Sequence, residues 1–341
     1  MPDQRIVSPE PEDEDRQFDL TLRPKTLADF VGQAKLKENL SIAIEAARGR
    51  GEAMDHVLLY GPPGLGKTTL ANIIANELSV RVDLTSGPVL QKKLDLTGAL
   101  TAMEARQVFF VDEIHRLLPD VEEMLYAALE DFRVDLMIGA GPGARTHSIP
   151  LPPFTAIGAT TRAGLLSAPL RGRFGLTLRL NPYDVADLTK IVFRSAGMLE
   201  VEIDEKGAIE IAQRSRGTPR IANRLLRRVR DYSQVRADGA IDQETARIAL
   251  DLLEVDPHGL DEIDQKVMRT ILGKYAGGPV GLNTIAASVG EDANTIEEVY
   301  EPYLMQLGFL DRTPRGRVGT RLAFEYFRIE IRQGPQANLT F

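Results

Sequence analysis

The segment Gly61-Pro-Pro-Gly64-Leu-Gly66-Lys67-Thr68-Thr69 has the residue types and spacing of a phosphate-binding loop. Only backbone free of side chains can approach nucleotide phosphates closely, which gives the glycines their reason. In that chemistry Lys67 lies on the β- and γ-phosphates, the Thr68 hydroxyl holds Mg²⁺ and Thr69 donates near the α-phosphate. ATP and Mg²⁺ are the expected cofactors, and a merely tight turn is the alternative. Farther on, Phe109-Phe-Val-Asp112-Glu113 closes an apolar run with two carboxylates, a Walker B pattern. Asp112 suits the Mg²⁺ shell, and Glu113 suits a general base for the attacking water. Two acids capping a helix is the bland reading, which the phosphate loop outweighs. The Gly-x-Gly-x-x-Gly pattern of nicotinamide-binding folds is absent from this first turn.

Three further groups carry polar chemistry. Thr160-Thr161-Arg162 offers hydroxyls able to sense a γ-phosphate or place a water, with Thr161 the chosen candidate. Leu170-Arg171-Gly-Arg173-Phe174 sets two guanidiniums on a short loop, suited to phosphate oxygens or simply solvated. Arg216-Gly-Thr-Pro-Arg220 opens a helix at its proline, and Arg224, Arg227 and Arg228 follow at helical spacing, which an internal ion-pair face would also explain.

The elements that must position these residues follow from periodicity. His56–Tyr60, Val108–Val111 and Ala156–Ala159 are short continuous apolar runs, as strands buried between helix layers should be. Lys35–Arg48 and Val121–Leu129 read as amphipathic helices, so a helix-wound α/β sheet is expected. Arg133–Ile149 reads as a hairpin around Gly139–Gly143, its Leu136, Met137 and Ile138 either an exposed partner surface or buried. Asp184–Val255 is purely helical in pattern, and Asp256-Pro-His-Gly259 ends it. Three helices, Asp261–Tyr275, Leu282–Val289 and Asn294–Leu307, then precede a basic turn, Arg312-Thr-Pro-Arg315-Gly-Arg317. That order resembles a winged helix, whose wing would set Arg312, Arg315 and Arg317 against DNA; a solvated loop is the alternative.

Composition bounds the rest. At 341 residues, 43% hydrophobic and 26% charged, the chain suits several globular domains rather than a disordered, collagenous or coiled-coil protein. The expected division is an acidic tail 1–19, an ATPase domain 20–183, a helical lid 184–255 and a winged-helix domain 256–341. With no cysteine and four histidines, thiolate sites are excluded and metal must come through carboxylates or hydroxyls. The net charge of −8 argues against general coating of nucleic acid, yet residues 206–230 hold eight bases and one acid, and 312–332 six bases and two acids. Neither a spanning apolar run nor a signal peptide is evident, so a cytoplasmic location is expected.

The order of motifs resembles the AAA+ ATPases: Walker A 61–69, Walker B 108–113, a first sensor 160–162, an arginine finger 170–174 and a second sensor 216–220. Within them, Leu22–Gln33, Gly61–Leu70 and Phe309–Arg317 resemble the RuvB family of bacterial Holliday-junction branch-migration motors, a resemblance spanning residues ~20–330. It implies a P-loop AAA+ domain with a parallel sheet, an all-α lid and a winged helix, forming a hexameric ring of this chain. The ring would draw duplex DNA from four-way junctions by ATP hydrolysis during homologous recombination and recombinational repair. By position, Leu22 and Arg23 would flank the adenine, Tyr183 and Arg220 would close the nucleotide site from the small helical domain, and Glu130, Asp131 and Phe132 would join the nucleotide contacts. Arg173 would reach a neighbour's γ-phosphate, and the 133–149 hairpin would dock RuvA, with a junction resolvase a further candidate partner. Two rivals share the motifs. A protein unfoldase is disfavoured because Gly87–Gly98 lacks an aromatic-apolar-glycine gripping loop, and a nucleotide switch would lack steady turnover.

Overall fold

The computed structural model describes residues 21–138 and 145–330. The acidic tail 1–19, the hairpin turn 139–144, the side chains of Met137 and Ile138, and residues 331–341 of the expected last domain lie outside them. The described chain forms two compact units, residues 21–191 with 218–220, and residues 192–217 with 221–330.

The first unit is built on five strands, β1 Val57–Tyr60, β2 Val82–Ser86, β3 Val108–Asp112, β6 Thr155–Thr160 and β7 Leu176–Arg179. They form one parallel sheet in the order β2-β3-β6-β1-β7. β1, β3 and β6 are almost wholly buried, so they show the continuous apolar signature of central parallel strands. β2 and β7 are edge strands carrying Asp83, Thr85, Thr177 and Arg179, and their partial exposure hides them from that signature. Because β6 lies between β1 and β3, the ends of all three open side by side, with Tyr60 paired to Thr160 and Val111 to Gly158. That is where a wound sheet collects its ligands.

Helices Ala34–Arg50, Lys67–Leu78, Lys93–Thr101 and Pro119–Asp131 belong to this unit. The apolar residues Val121, Leu125, Ala128 and Leu129 of the last bury against Phe109, Val111 and Phe154. His56 fastens this layer. Its Nδ1 accepts from the Ala156 amide at 3.0 Å, so its Nε2–H is the donor to the Leu129 carbonyl, also 3.0 Å away. β4 Arg133–Ile138 and β5 Arg145–Pro150 pair antiparallel, giving the expected hairpin. Of the two readings open for Leu136, the structure favours burial: Leu136, half-buried, and Ile149 pack against the core beside buried Val134, because the stem of the hairpin lies on the sheet unit.

In the second unit the lid helices Glu205–Gln213, Pro219–Arg236 and Gln243–Leu252 and the second half of Val185–Met198 are followed by the winged helix. Helices Glu262–Arg269, Leu282–Val289 and Glu301–Gln306, the hairpin β8 Leu310–Thr313 with β9 Gly316–Gly319, and helix Arg321–Phe327 enclose Met268, Ile285, Tyr300, Leu304 and Phe324. Two buried arginines secure this unit, Arg214 within the lid and Arg216 between lid and winged helix. Arg214 donates to Glu210, Asp251 and the Val255 carbonyl, while Arg216 donates to the Gly259 carbonyl at 2.6 Å and to buried Asp264, beneath the Tyr303 ring.

Burial lowers the His56 pKa from its usual 6.5. The unfolded chain therefore takes up a proton at His56 below about pH 6.5 while the folded unit refuses it, and stability falls as pH drops through that window by up to about 1.4 kcal/mol per unit. Thermal midpoints between pH 7.5 and 5.5 should show this decline, and His56→Gln, with no proton to gain, should flatten it; an unchanged slope would remove His56 as the cause.

Candidate functional site

The loop between β1 and helix Lys67–Leu78 is shaped by what presses on it. Gly61 has φ +145°, and a Cβ there would stand 2.4 Å from the Leu180 carbonyl oxygen. Gly64, at φ +78°, would meet Thr218 Cγ2 at 2.7 Å and Arg220 Cβ at 3.3 Å, and Gly66, at φ +102°, would meet the Phe30 ring at 3.2 Å. The helix that follows has no side-chain cap and no acid in its first turn, which leaves its amide dipoles for an anion. Lys67 is buried, and its ammonium donates to the loop's own Gly61 and Pro62 carbonyls at 2.8 and 2.9 Å. Burial lowers its pKa to about 8, with Asp112 opposing that shift and Arg220 adding to it. A buried cation among neutral acceptors, beside uncapped amides, fits a phosphate group. Thr68 and Asp112 are both half-buried there, and Mg²⁺ completes its shell from phosphates and water, so one hydroxyl and one carboxylate are a sufficient protein contribution. No cluster of three or more metal-ligating residues occurs among the described residues.

β3 ends at Asp112, and Glu113 follows in the left-handed region at φ +47°. Asp112 Oδ1 accepts from the Glu113 amide at 2.9 Å, which turns the chain, and Glu113 pairs with Arg116 at 2.9 Å. Thr160, at the end of β6, is buried, and its hydroxyl lies 2.9 Å from His115 Nδ1 and accepts from the Arg162 amide. Thr161 follows it, exposed. The Thr160–His115 link ties two neighbouring strand ends together. Sequence reasoning placed Thr160 in the sensing segment but chose Thr161, and it passed over His115, since a lone histidine carries no pattern.

Tyr183 and Arg220, expected from the lid, both belong to the sheet unit. The Tyr183 ring is buried against Gly32, its hydroxyl donates to the Leu65 carbonyl at 3.5 Å, and burial pushes the phenol well above its usual pKa. Leu22 is buried and Arg23 half-buried. Their segment runs along the P-loop helix, where Leu27 bonds Glu77 at 3.0 Å and the Lys25 carbonyl bonds Asn76 at 3.1 Å. Phe30 and Thr218, which wall the loop, were missed because only the fold brings them near it.

A second set gathers around Arg173. Its guanidinium donates to Glu130 at 2.7 Å and to the Pro169 carbonyl at 2.7 Å. Asp131 and Phe132, expected among the nucleotide contacts, turn to other partners: Asp131 pairs with Arg133 at 3.2 Å, and Phe132 turns inward, edge-on to Phe154.

In the wing, Arg312 and Arg317 both bind Glu301, whose side chain is only 1% exposed, and Arg317 is 14% exposed. Their charges are thus largely matched inside the domain. Arg315, on the exposed β8–β9 turn, makes no ion pair with the described residues. Of the three wing arginines it is the one presented outward without a carboxylate, a distinction that the spacing of like residues could not make.

A wound parallel sheet with a phosphate loop after β1, paired carboxylates after β3 and a helical segment returning an arginine to the loop defines a P-loop ATPase of the AAA+ class, here joined to a winged helix. Three family models match in succession: the Holliday junction DNA helicase RuvB P-loop domain over residues 22–180, the RuvB AAA lid domain over 183–256 and the RuvB C-terminal winged helix domain over 257–328. The chain is 71% identical to the Holliday junction branch migration complex subunit RuvB of Solibacter usitatus, over 99% of both chains. It is 64% identical to that of Koribacter versatilis, over 96% of this chain and 91% of the relative. The crystal structure of Thermotoga maritima RuvB, described as a Holliday junction branch migration motor, superposes with a TM-score of 0.82 at 52% identity, covering 91% of this chain and 99% of that one. The chain belongs to the RuvB family of Holliday-junction ATPases.

Gly64→Ala would place a methyl against Thr218 on a backbone that disfavours it. ADP affinity, measured by fluorescence titration, should fall about tenfold, a cost of about 1.4 kcal/mol. Parental affinity would mean that the loop yields without consequence.

Proposed function

We propose that this chain is the ATP-driven motor of a Holliday-junction branch-migration complex, a hexameric ring that pulls duplex DNA out of four-way junctions in the cytoplasm. One observation carries the reading: Lys67, Asp112–Glu113 and Arg220 meet in one compact unit, on a chain that also carries a winged helix with Arg315 on its outer turn. The three-part division at residues 183 and 255 supplies a nucleotide pocket, a lid and a DNA-binding domain.

In this assignment the amides of Gly64 and Gly66 and the Lys67 ammonium hold the phosphates, Thr69 supports them, and Leu22, Arg23 and Tyr183 border the base and sugar. Thr68 and Asp112 hold Mg²⁺, which neutralises charge on the phosphates when bound. Glu113 Oε accepts the proton of the attacking water, and Thr161 orients that water. Arg220 faces the same phosphates in cis. Arg173, held by Glu130, faces the nucleotide of the adjacent subunit and adds positive charge as the phosphoryl group leaves. The 133–149 hairpin docks RuvA, with the part outside the described residues at its tip, and a junction resolvase joins the same complex. Arg315 makes the principal wing contact to the DNA backbone, with Arg312 and Arg317 behind it on Glu301. The names of the relatives, which specify Holliday junction branch migration, support DNA over a polypeptide substrate.

The test is ATP-dependent dissociation of a synthetic four-way junction, with and without a RuvA partner. Glu113→Gln should still bind ATP but lose about 10²–10⁴-fold in turnover and all junction movement. Retained turnover would sink the role of Glu113. Arg315→Ala should weaken binding to unrelated duplexes about equally and lower the slope of log affinity against log salt by about 0.9, the share of one phosphate contact. An unchanged slope would leave Arg315 a solvated side chain.

A further inference from the structure

We propose that Tyr126 is the positioning residue for Arg173: its ring is the platform that fixes the guanidinium plane, and Glu122 and Ser167 lock the platform to the helix that delivers the arginine. The inference rests on the reading of Arg173 as an arginine acting on the adjacent subunit.

Tyr126 lies on helix Pro119–Asp131, and the centre of the Arg173 guanidinium stands 4.7 Å from the centroid of its ring. Arg173 has only edge partners otherwise. Nη1 donates to the Pro169 carbonyl, Nη2 to Glu130, and the buried Nε has no hydrogen-bond acceptor. A ring face attracts a cation through its quadrupole without neutralising it, so orientation is fixed while the charge stays available. The Glu130 carboxylate behaves differently. Its side chain is 62% exposed, so water screens the pair, and an anion of higher charge can take its place.

The platform is itself tied down. Glu122, one helical turn before Tyr126, accepts short hydrogen bonds from the Tyr126 and Ser167 hydroxyls, whose oxygens lie 2.8 Å apart. Ser167 Oγ also accepts from the Leu170 amide at 3.2 Å, capping the short helix Ala168–Arg171 that leads into Arg173. One carboxylate thus joins the ring under the guanidinium to the start of the segment that carries it. Leu170 and Phe174, flanking Arg173, are buried in the core of the same unit, so the backbone on either side is anchored as well.

The experiment measures ATPase activity of the full chain with DNA for Tyr126→Leu and Tyr126→Phe, alone and mixed with Lys67→Ala chains. Tyr126→Leu should lower kcat about tenfold with KM for ATP within about twofold, and Tyr126→Phe, which keeps the ring, should recover most of that loss. Mixing Tyr126→Leu with Lys67→Ala should restore activity, as mixing Arg173→Ala with Lys67→Ala should, because the defect lies on the face that serves a neighbour. Parental kcat in Tyr126→Leu, or a defect that mixing fails to relieve while Arg173→Ala is relieved, overturns the platform and leaves the role of Arg173 intact. If the Arg173→Ala mixture also stays inactive, the trans reading of Arg173 falls and this proposal with it. Should Tyr126→Leu fail to fold, Ser167→Ala, which removes the cap on the helix that delivers Arg173, must lower kcat and be relieved on mixing with Lys67→Ala.

Discussion

Three glycines of the phosphate loop are crowded at the place a side chain would take, each by a different part of the chain: Gly61 by the Leu180 carbonyl, Gly64 by Thr218 and Arg220, and Gly66, less tightly, by the Phe30 ring. The loop must keep its amides clear for phosphate, so apart from the Lys67 bonds to its carbonyls little on the loop itself can hold its shape. Its walls do so instead. The segment after β7, the segment before the first helix and the 218–220 segment converge on it, and through them the residues proposed to read base and phosphate are placed. Lys67 shows the cost of this arrangement, since burial drives its pKa down to about 8 and only its own loop carbonyls and the nearby Asp112 charge offset that.

The segment Thr218–Arg220, which starts the helix Pro219–Arg236, packs with the sheet unit, while Arg216 and Gly217 before it belong to the unit of the lid and winged helix. Arg216 is itself buried against Asp264 and the Gly259 carbonyl of the winged helix. The chain therefore passes, within a few residues, from an arginine at the nucleotide loop to one fixed in the winged-helix domain. Removing either partner would strand the other as an uncompensated buried charge, at a cost of roughly 3–5 kcal/mol.

Buried charge is handled in two ways. Arg214, Arg216 and Arg317 are matched by carboxylates inside their own unit, which fixes structure. Arg173 is supported by a ring face, and Lys67 by neutral carbonyls, so neither loses its charge to a buried acid. The second arrangement suits groups whose charge must act on something outside the chain.

The sequence by itself determined the elements whose signal is local. The phosphate loop, the strand-end pair Asp112–Glu113, the buried strands β1, β3 and β6 and the helical frame of the winged helix were legible, because glycine spacing, continuous apolar runs and 3.6-residue periodicity each act over a few residues. The roles of Leu22, Tyr183, Arg220 and Glu130 came from resemblance, since no local pattern marks them. Edge strands β2 and β7 escaped, because their solvent-facing residues look like loop. Only the tertiary structure decided that Thr218 and Phe30 wall the loop, that Thr160 meets His115, that Leu136 packs inward, that Tyr126 lies under Arg173, and that Glu301 claims Arg312 and Arg317 while leaving Arg315 outside. Each of these depends on burial or on contact between residues distant along the chain, and both are set by how the layers pack rather than by the order of residues.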